Sequence, residues 1–253
     1  MYRKLIRKLF FLLFALNTAT NCFGQNGNTN YFDSGVIKYE RKDYLGAIVD
    51  FKKSLRTESV RAKAYYNIGG VYGSLKNHIE AVENYTMAIS IDTLFGAAYY
   101  NRGYMKFLLK DYTGAITDFT AAINVSPNDK YAVVFYVERG ITKFELGDYG
   151  GSIEDFNFAL ANYPNSYVDI LYIDIGRSKL ALRDYSGAID AYNLAIKANP
   201  NSAQAYYDRS VAEIKTNYNK RAIEDFNMAK KLDPNYVNAS YRNQALKYIE
   251  LGQ

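Results

Sequence analysis

Tryptophan is absent from the 253 residues, and cysteine and histidine occur once each, as Cys22 and His78. A single cysteine closes no intramolecular disulfide, and one histidine with one cysteine cannot supply the clustered ligands of a zinc site. Nor is there a nucleotide fingerprint: Gly69-Gly70 and Gly150-Gly151 lack both the spacing of a phosphate loop and a preceding strand. Proline occurs only four times, at Pro127, Pro164, Pro200 and Pro234. What remains excludes disorder, since 16% of residues are aromatic and 23% charged.

The first 24 residues read differently from the rest. Arg3, Lys4, Arg7 and Lys8 precede an uncharged apolar run, Leu9 to Leu16, and then a short polar stretch of small residues. That is the layout of a secretory signal peptide, and the apolar run is well below the ~18–20 residues of a membrane span. Cleavage after Gly24 would leave Gln25 as the new N-terminus. Lipidation of Cys22 is a rival outcome, disfavoured by Asn21 before it, and an uncleaved anchor is a third. Removing residues 1–24 leaves 27 basic against 26 acidic side chains. The basicity of the whole chain therefore resides in the segment expected to be lost, and a nucleic-acid partner loses its main support. Membrane contact is expected only if Cys22 is lipidated. The expected location is beyond the inner membrane, periplasmic or secreted.

Beyond that segment, small residues recur at Gly35, Gly69, Gly103, Gly140, Gly176 and Ser210. Four residues before each stands a tyrosine: Tyr31, Tyr65, Tyr99, Tyr136, Tyr172 and Tyr206. Twelve after each stands Ala or Ser (Ala47, Ala81, Ala115, Ser152, Ala188, Ala222), and four further an aromatic (Phe51, Tyr85, Phe119, Phe156, Tyr192, Phe226). Glycine inside a helix costs ~1 kcal/mol relative to alanine, so its return implies helices too close for a side chain. Asp43, Asp111, Asp148 and Asp184 precede the second apolar pattern of their repeats, where a carboxylate can cap the helix. Each proline falls where a second helix must end. The first two repeats carry Ser59 and Thr93 there and are expected to end more softly. His78 takes the place of Tyr44, Tyr112, Tyr149 and Tyr185, a packing position.

This spacing resembles the tetratricopeptide repeat (TPR), a 34-residue helix–turn–helix unit, with tyrosine in place of the usual opening tryptophan. The resemblance covers six repeats, about 28–61, 62–95, 96–129, 133–166, 169–202 and 203–236, the array occupying 25–236. Longer joints are expected before the fourth and fifth repeats, around Lys130-Tyr131-Ala132 and Tyr167-Val168. Residues 237–253 would form a C-terminal capping helix. The implied fold is all-α, a right-handed superhelical solenoid.

The resemblance also implies a non-enzymatic scaffold or adaptor, without cofactor or metal, holding a protein or peptide in the groove lined by its first helices. A structural subunit of an outer-membrane or secretion assembly is the alternative. Outward positions of the family map onto Tyr66 and Asn67; onto Tyr100, Asn101, Tyr104, Phe107 and Leu108; onto Glu138, Ile141 and Phe144; and onto Asp174, Arg177, Tyr207 and Asp208. Tyr100, Tyr104, Phe107 and Leu108 would make an exposed apolar patch, the mark of an interaction surface. Asp33, Glu40, Glu138, Glu145, Asp174 and Asp208 outnumber Lys63, Arg177 and Lys215 there, so a neutral or basic ligand is expected. Asn67 and Asn101 match the family's peptide clamp, but most of its basic partners are missing.

Overall fold

A computed structural model describes residues 29–127, 132–165 and 167–238. The first 28 residues, with Cys22 and the export expectation, lie outside the described residues, as do most of the proposed capping helix and the core of the joint at Lys130. Among the described residues the structure is all-helical, with no strand. The chain divides into two compact units, one ending at Phe135 and the other beginning at Tyr136.

In the N-terminal unit the helices pair as hairpins. They are α1 (Thr29–Glu40) with α2 (Tyr44–Ser54), α3 (Arg61–Ser74) with α4 (His78–Ile91), and α5 (Gly96–Leu108) with α6 (Tyr112–Val125). A 3-10 turn at Glu58–Val60 joins the first two hairpins. Helix α7 (Ala132–Leu146) spans the division. The C-terminal unit continues with α8 (Tyr149–Asn162), α9 (Val168–Ala181), α10 (Tyr185–Ala198), α11 (Ala203–Lys215), α12 (Asn219–Leu232) and α13 (Pro234–Asn238). Second helices also pack on the first helices that follow them, α2 on α3, α4 on α5, α8 on α9, α10 on α11 and α12 on α13.

The hairpins close through one backbone device. The residue after the turn's C-cap adopts a left-handed conformation at Lys42, Lys76, Lys110, Arg183 and Asn217, with φ of 61–63°, and at Gly147, with φ of 91°. The next N–H reaches back five residues, as in Asp43 N to Lys38 O (2.9 Å) and Asp111 N to Lys106 O (2.9 Å). Capping of the second helices follows. The side chains of Asp43, Asp111, Asp148 and Asp184 each accept the backbone N–H of a glycine three residues on. Asn77 and Tyr218 stand there in the second and sixth repeats and make no such bond.

At the other end, α6, α8, α10 and α12 stop two residues before their prolines. Only one of the two proline-free repeats departs from this. Helix α2 ends early, at Ser54, whereas α4 runs to Ile91 and is held there by the Asp92 N–H bonded to Ala88 O. Before α9 the chain turns through Tyr167 in a left-handed conformation (φ 57°), which starts that helix without a side-chain cap.

The recurring glycines meet the aromatic of the second helix. A Cβ on Gly35 would stand 2.7 Å from the Phe51 ring; on Gly69, 2.9 Å from Tyr85; on Gly140, 2.8 Å from Phe156; on Gly176, 2.5 Å from Tyr192. Those rings are fully buried, and each contributes roughly 2–3 kcal/mol by leaving water. The opening tyrosines do not share that role. Tyr65 and Tyr99 pack on the edge of a core cluster, and Tyr65, Tyr99, Tyr136 and Tyr206 remain partly exposed.

Charge settles what these tyrosines do. Arg102, Arg139 and Arg209 lie over the faces of Tyr99, Tyr136 and Tyr206, at 5.6, 5.3 and 5.5 Å from the ring centroids. Each guanidinium also holds a buried aspartate sixteen residues on, Asp118, Asp155 and Asp225, through two hydrogen bonds. Lys106 and Lys143 add a second cation, at 2.8 and 3.0 Å. The first repeat achieves the same with Ser34 and Lys38 on Asp50, and their hydrogen bonds hold its carboxyl below the usual range.

Candidate functional site

The first helices of the N-terminal unit lie against one another, α1 on α3 and α3 on α5. Two side-chain hydrogen bonds tie them. The hydroxyls of Tyr39 and Ser74 are 2.9 Å apart, and Asn101 Nδ2 donates to Tyr66 Oη at 2.8 Å. Together the three helices form a continuous surface. Its sequence-predicted members divide into two sets.

Tyr66 and Tyr100 are buried rather than outward. Tyr100 is 3% exposed, its ring packed 5.6 Å from Phe119 of its own repeat and 5.3 Å from Phe135 of the next first helix. Tyr66 is held the same way between Tyr85 (5.6 Å) and Phe95 (4.8 Å). This corrects the expectation of an exposed patch that includes Tyr100. The position next to the opening tyrosine sits where three helices converge, and packing between repeats covers it. Asn101 is buried with Tyr66. Tyr104, Phe107 and Asn67 are half-buried, with Phe107 stacked 5.6 Å from Tyr112. Leu108 is 39% exposed.

In the C-terminal unit Glu138 and Ile141 are buried, and Phe144 is half-buried against Tyr149. Tyr207 is also buried, against Phe226 and Tyr236. Asp174 and Asp208 do not line a surface as bare charges. Arg177 Nη2 lies 2.8 Å from Asp208, and its Nη1 lies 3.9 Å from Asp174. The two carboxylates hold the guanidinium charged against the cost of its burial. The acidic excess expected across the predicted positions is therefore smaller at the surface than in the sequence.

Several polar groups in this region were not foreseen. Asn67 Nδ2 and the Tyr85 hydroxyl are buried without a hydrogen-bond partner. Burial pushes the Tyr85 hydroxyl well above its ordinary pKa, so it stays protonated. Ser74 donates to the Gly70 carbonyl at 3.0 Å. The sequence held a signal for this: Gly70 stands where sibling repeats carry Val36, Tyr104, Ile141, Arg177 and Val211. Glu213, at the position of Lys106 and Lys143, is 0% exposed and faces Asp225. Arg221 Nε is 3.3 Å from one of its oxygens, without the geometry of a hydrogen bond. Among the described residues no group of three His, Cys, Asp or Glu side chains could hold a metal ion, and no helix is long and apolar enough to cross a membrane.

Tetratricopeptide repeat profiles match residues 62–93 and 96–129, and a second profile of that description matches 173–237. Together they cover just over half of the chain. No curated protein matches the sequence. Among solved structures, YrrB, a TPR protein with an unusual peptide-binding site, is similar at 18% identity over 77% of this chain and 97% of that one, with a TM-score of 0.62. PilF of Pseudomonas aeruginosa is similar at 17% identity over 87% and 96%, with a TM-score of 0.66. PilW, a type IV pilus biogenesis factor, is similar at 15% identity over 88% and 100%, with a TM-score of 0.63. At such identities the likeness is one of fold. The hairpins, the glycine-to-ring contacts, the profiles and these structures agree, and the chain belongs to the tetratricopeptide repeat family.

Proposed function

We propose that this protein is an exported, non-catalytic scaffold that binds an extended protein segment along the joined first helices of its N-terminal unit. The observation that carries this reading is the surface formed by α1, α3 and α5. There Tyr104, Phe107 and Leu108 keep apolar area within reach of solvent. Apolar area of this kind on a helical face suits the side chains of a peptide. The peptide-binding site named for YrrB supports the same use of the fold. Export rests on the basic and apolar layout of residues 1–24. A neutral or basic ligand fits the exposed Asp33 and Glu40 of α1.

The test is capture from an envelope fraction by the purified protein and by a Tyr104→Ala/Phe107→Ala/Leu108→Ala variant. A partner held by the first and lost by the second is expected. Equal capture by both would overturn the binding face. Tyr100 is left intact because its ring belongs to the core. The alternative reading, a subunit of an envelope assembly, draws on the likeness to a pilus biogenesis factor. Size-exclusion of the native protein separates the two, since an assembly subunit elutes in a stoichiometric complex and an adaptor as the lone chain.

A further inference from the structure

The second helices of the C-terminal unit repeat a short pattern that those of the N-terminal unit lack. Two residues after each buried ring stands an apolar side chain left in solvent. Phe158 follows Phe156, Leu194 follows Tyr192 and Met228 follows Phe226, and they are 42, 43 and 39% exposed. The same position carries Lys53, Met87 and Ala121 in the N-terminal unit. One exposed apolar residue is ordinary, but one at the same register of three successive second helices is a surface feature. Their common level is fixed from beneath, since the very next residue is a wholly buried alanine, Ala159, Ala195 or Ala229. The hairpins that carry them stack in order, with α8 on α9, α10 on α11, and α9 on α11. Phe158, Leu194 and Met228 thus form one strip across the unit. Phe158 is held in it by the Tyr136 ring, stacked at 4.1 Å.

Charge lies along one side of the strip. One helical turn before each apolar residue is an exposed carboxylate, Glu154, Asp190 or Glu224. Arg139, Lys143 and Arg209 do not neutralise this row, because they hold the buried Asp155 and Asp225. On the other side of the strip, three residues on, stand Ala161, Lys197 and Lys231. The acidic margin runs the full length, toward the hairpin turns. We propose that the strip docks an amphipathic segment of a partner protein, its apolar side chains covering Phe158, Leu194 and Met228 and its lysines or arginines facing Glu154, Asp190 and Glu224. An acidic segment, or an anionic lipid surface, would meet three carboxylates as it approached the apolar side chains. A second copy of the chain would bring only Lys197 and Lys231 against those three, and is the poorer match. Because the strip belongs to the C-terminal unit alone, the proposal stands independently of the peptide-binding reading.

The test is a display library of random peptides, selected on the purified protein and counter-selected on a Phe158→Lys/Leu194→Lys/Met228→Lys variant. Lysine already stands at that position as Lys53, and a thermal melt confirms that the variant folds. If it does not, Leu194→Lys alone, at the centre of the strip, takes its place. The expected yield is peptides of net positive charge with recurrent apolar residues, which the variant binds at least about tenfold more weakly. Glu154→Gln/Asp190→Asn/Glu224→Gln should weaken the same peptides roughly three- to tenfold and remove most of their salt dependence. A counter-selection that leaves no peptide, peptides of net negative charge, or equal binding by the neutralised variant overturns the proposal. So does a concentration-dependent dimer of the parent, seen by sedimentation, that the Phe158→Lys/Leu194→Lys/Met228→Lys variant abolishes, because the strip is then an interface between copies.

Discussion

Arg102 holds Asp118 by a two-point fork, Nε to Oδ2 at 2.9 Å and Nη2 to Oδ1 at 2.7 Å, with the carboxylate almost wholly buried. Removing Arg102 takes the two-point partner from a buried carboxylate and leaves it Lys106 alone, at 2.8 Å. Arg102→Leu is expected to cost about 3 kcal/mol, read by urea denaturation. The fifth repeat carries Ile175 and Ala191 at the equivalent positions. Arg102→Ile with Asp118→Ala should therefore recover most of the loss. A double variant as unstable as the single one would show that the fork contributes more than charge compensation.

The left-handed turn residues carry side chains where glycine would be unstrained. Lys42, Lys76, Lys110 and Arg183 sit at φ of 61–63°. Replacing Lys76 or Lys110 with Gly should raise stability by up to about 1 kcal/mol each, the relief of strain exceeding the added freedom of the unfolded chain. A lower melting temperature for Lys110→Gly would contradict this.

Glycines of the two structural classes should respond oppositely. Gly176→Ala drives a methyl into the Tyr192 ring and is expected to destabilise by about 1–3 kcal/mol. At Gly150, on the exposed start of α8, a Cβ meets nothing within 4 Å. There Gly150→Ala should be neutral or stabilising by up to ~1 kcal/mol. Paired thermal melts decide it, and equal losses at both sites would refute the close-approach account.

Burial, with the Asp225 carboxylate beside it, pushes Glu213 up to about 7, against partial relief from Arg209 and Arg221. The folded value lies above the unfolded one, so the favourable contribution is complete below the ordinary carboxylate range and is lost as pH rises through about 7. Glu213→Gln should flatten this slope and make the protein more stable than the parent above pH 7. Glu213→Lys, matching Lys106 and Lys143, should also stabilise at neutral pH. If denaturation midpoints between pH 5 and 8 run parallel for parent and Glu213→Gln, the residue is not the source of the slope.

Much of the fold was legible because one physical constraint repeats six times. Glycine beneath a ring, aspartate at a cap and proline past a helix end each leave a residue type at a fixed interval. The buried Arg–Asp forks were equally periodic, at a spacing of sixteen, but charged residues read as solvated faces until Asp118 and Asp155 are seen buried. The binding face was less legible. Whether Tyr100 points outward depends on Phe135 in the next repeat, and no pattern within one repeat encodes that contact.

The guanidinium forks also reach backward along the chain. Arg102 Nη1 donates to Thr86 at 3.1 Å, and Arg209 Nη1 to Asn193 at 2.6 Å, each on the second helix of the preceding repeat. A stack of repeats ordinarily frays one unit at a time from its ends. Here each arginine belongs to two neighbours at once, so losing one hairpin also removes a bond from the next. Fraying should advance in steps of two hairpins, and amides of α10 and α12 should exchange with solvent together.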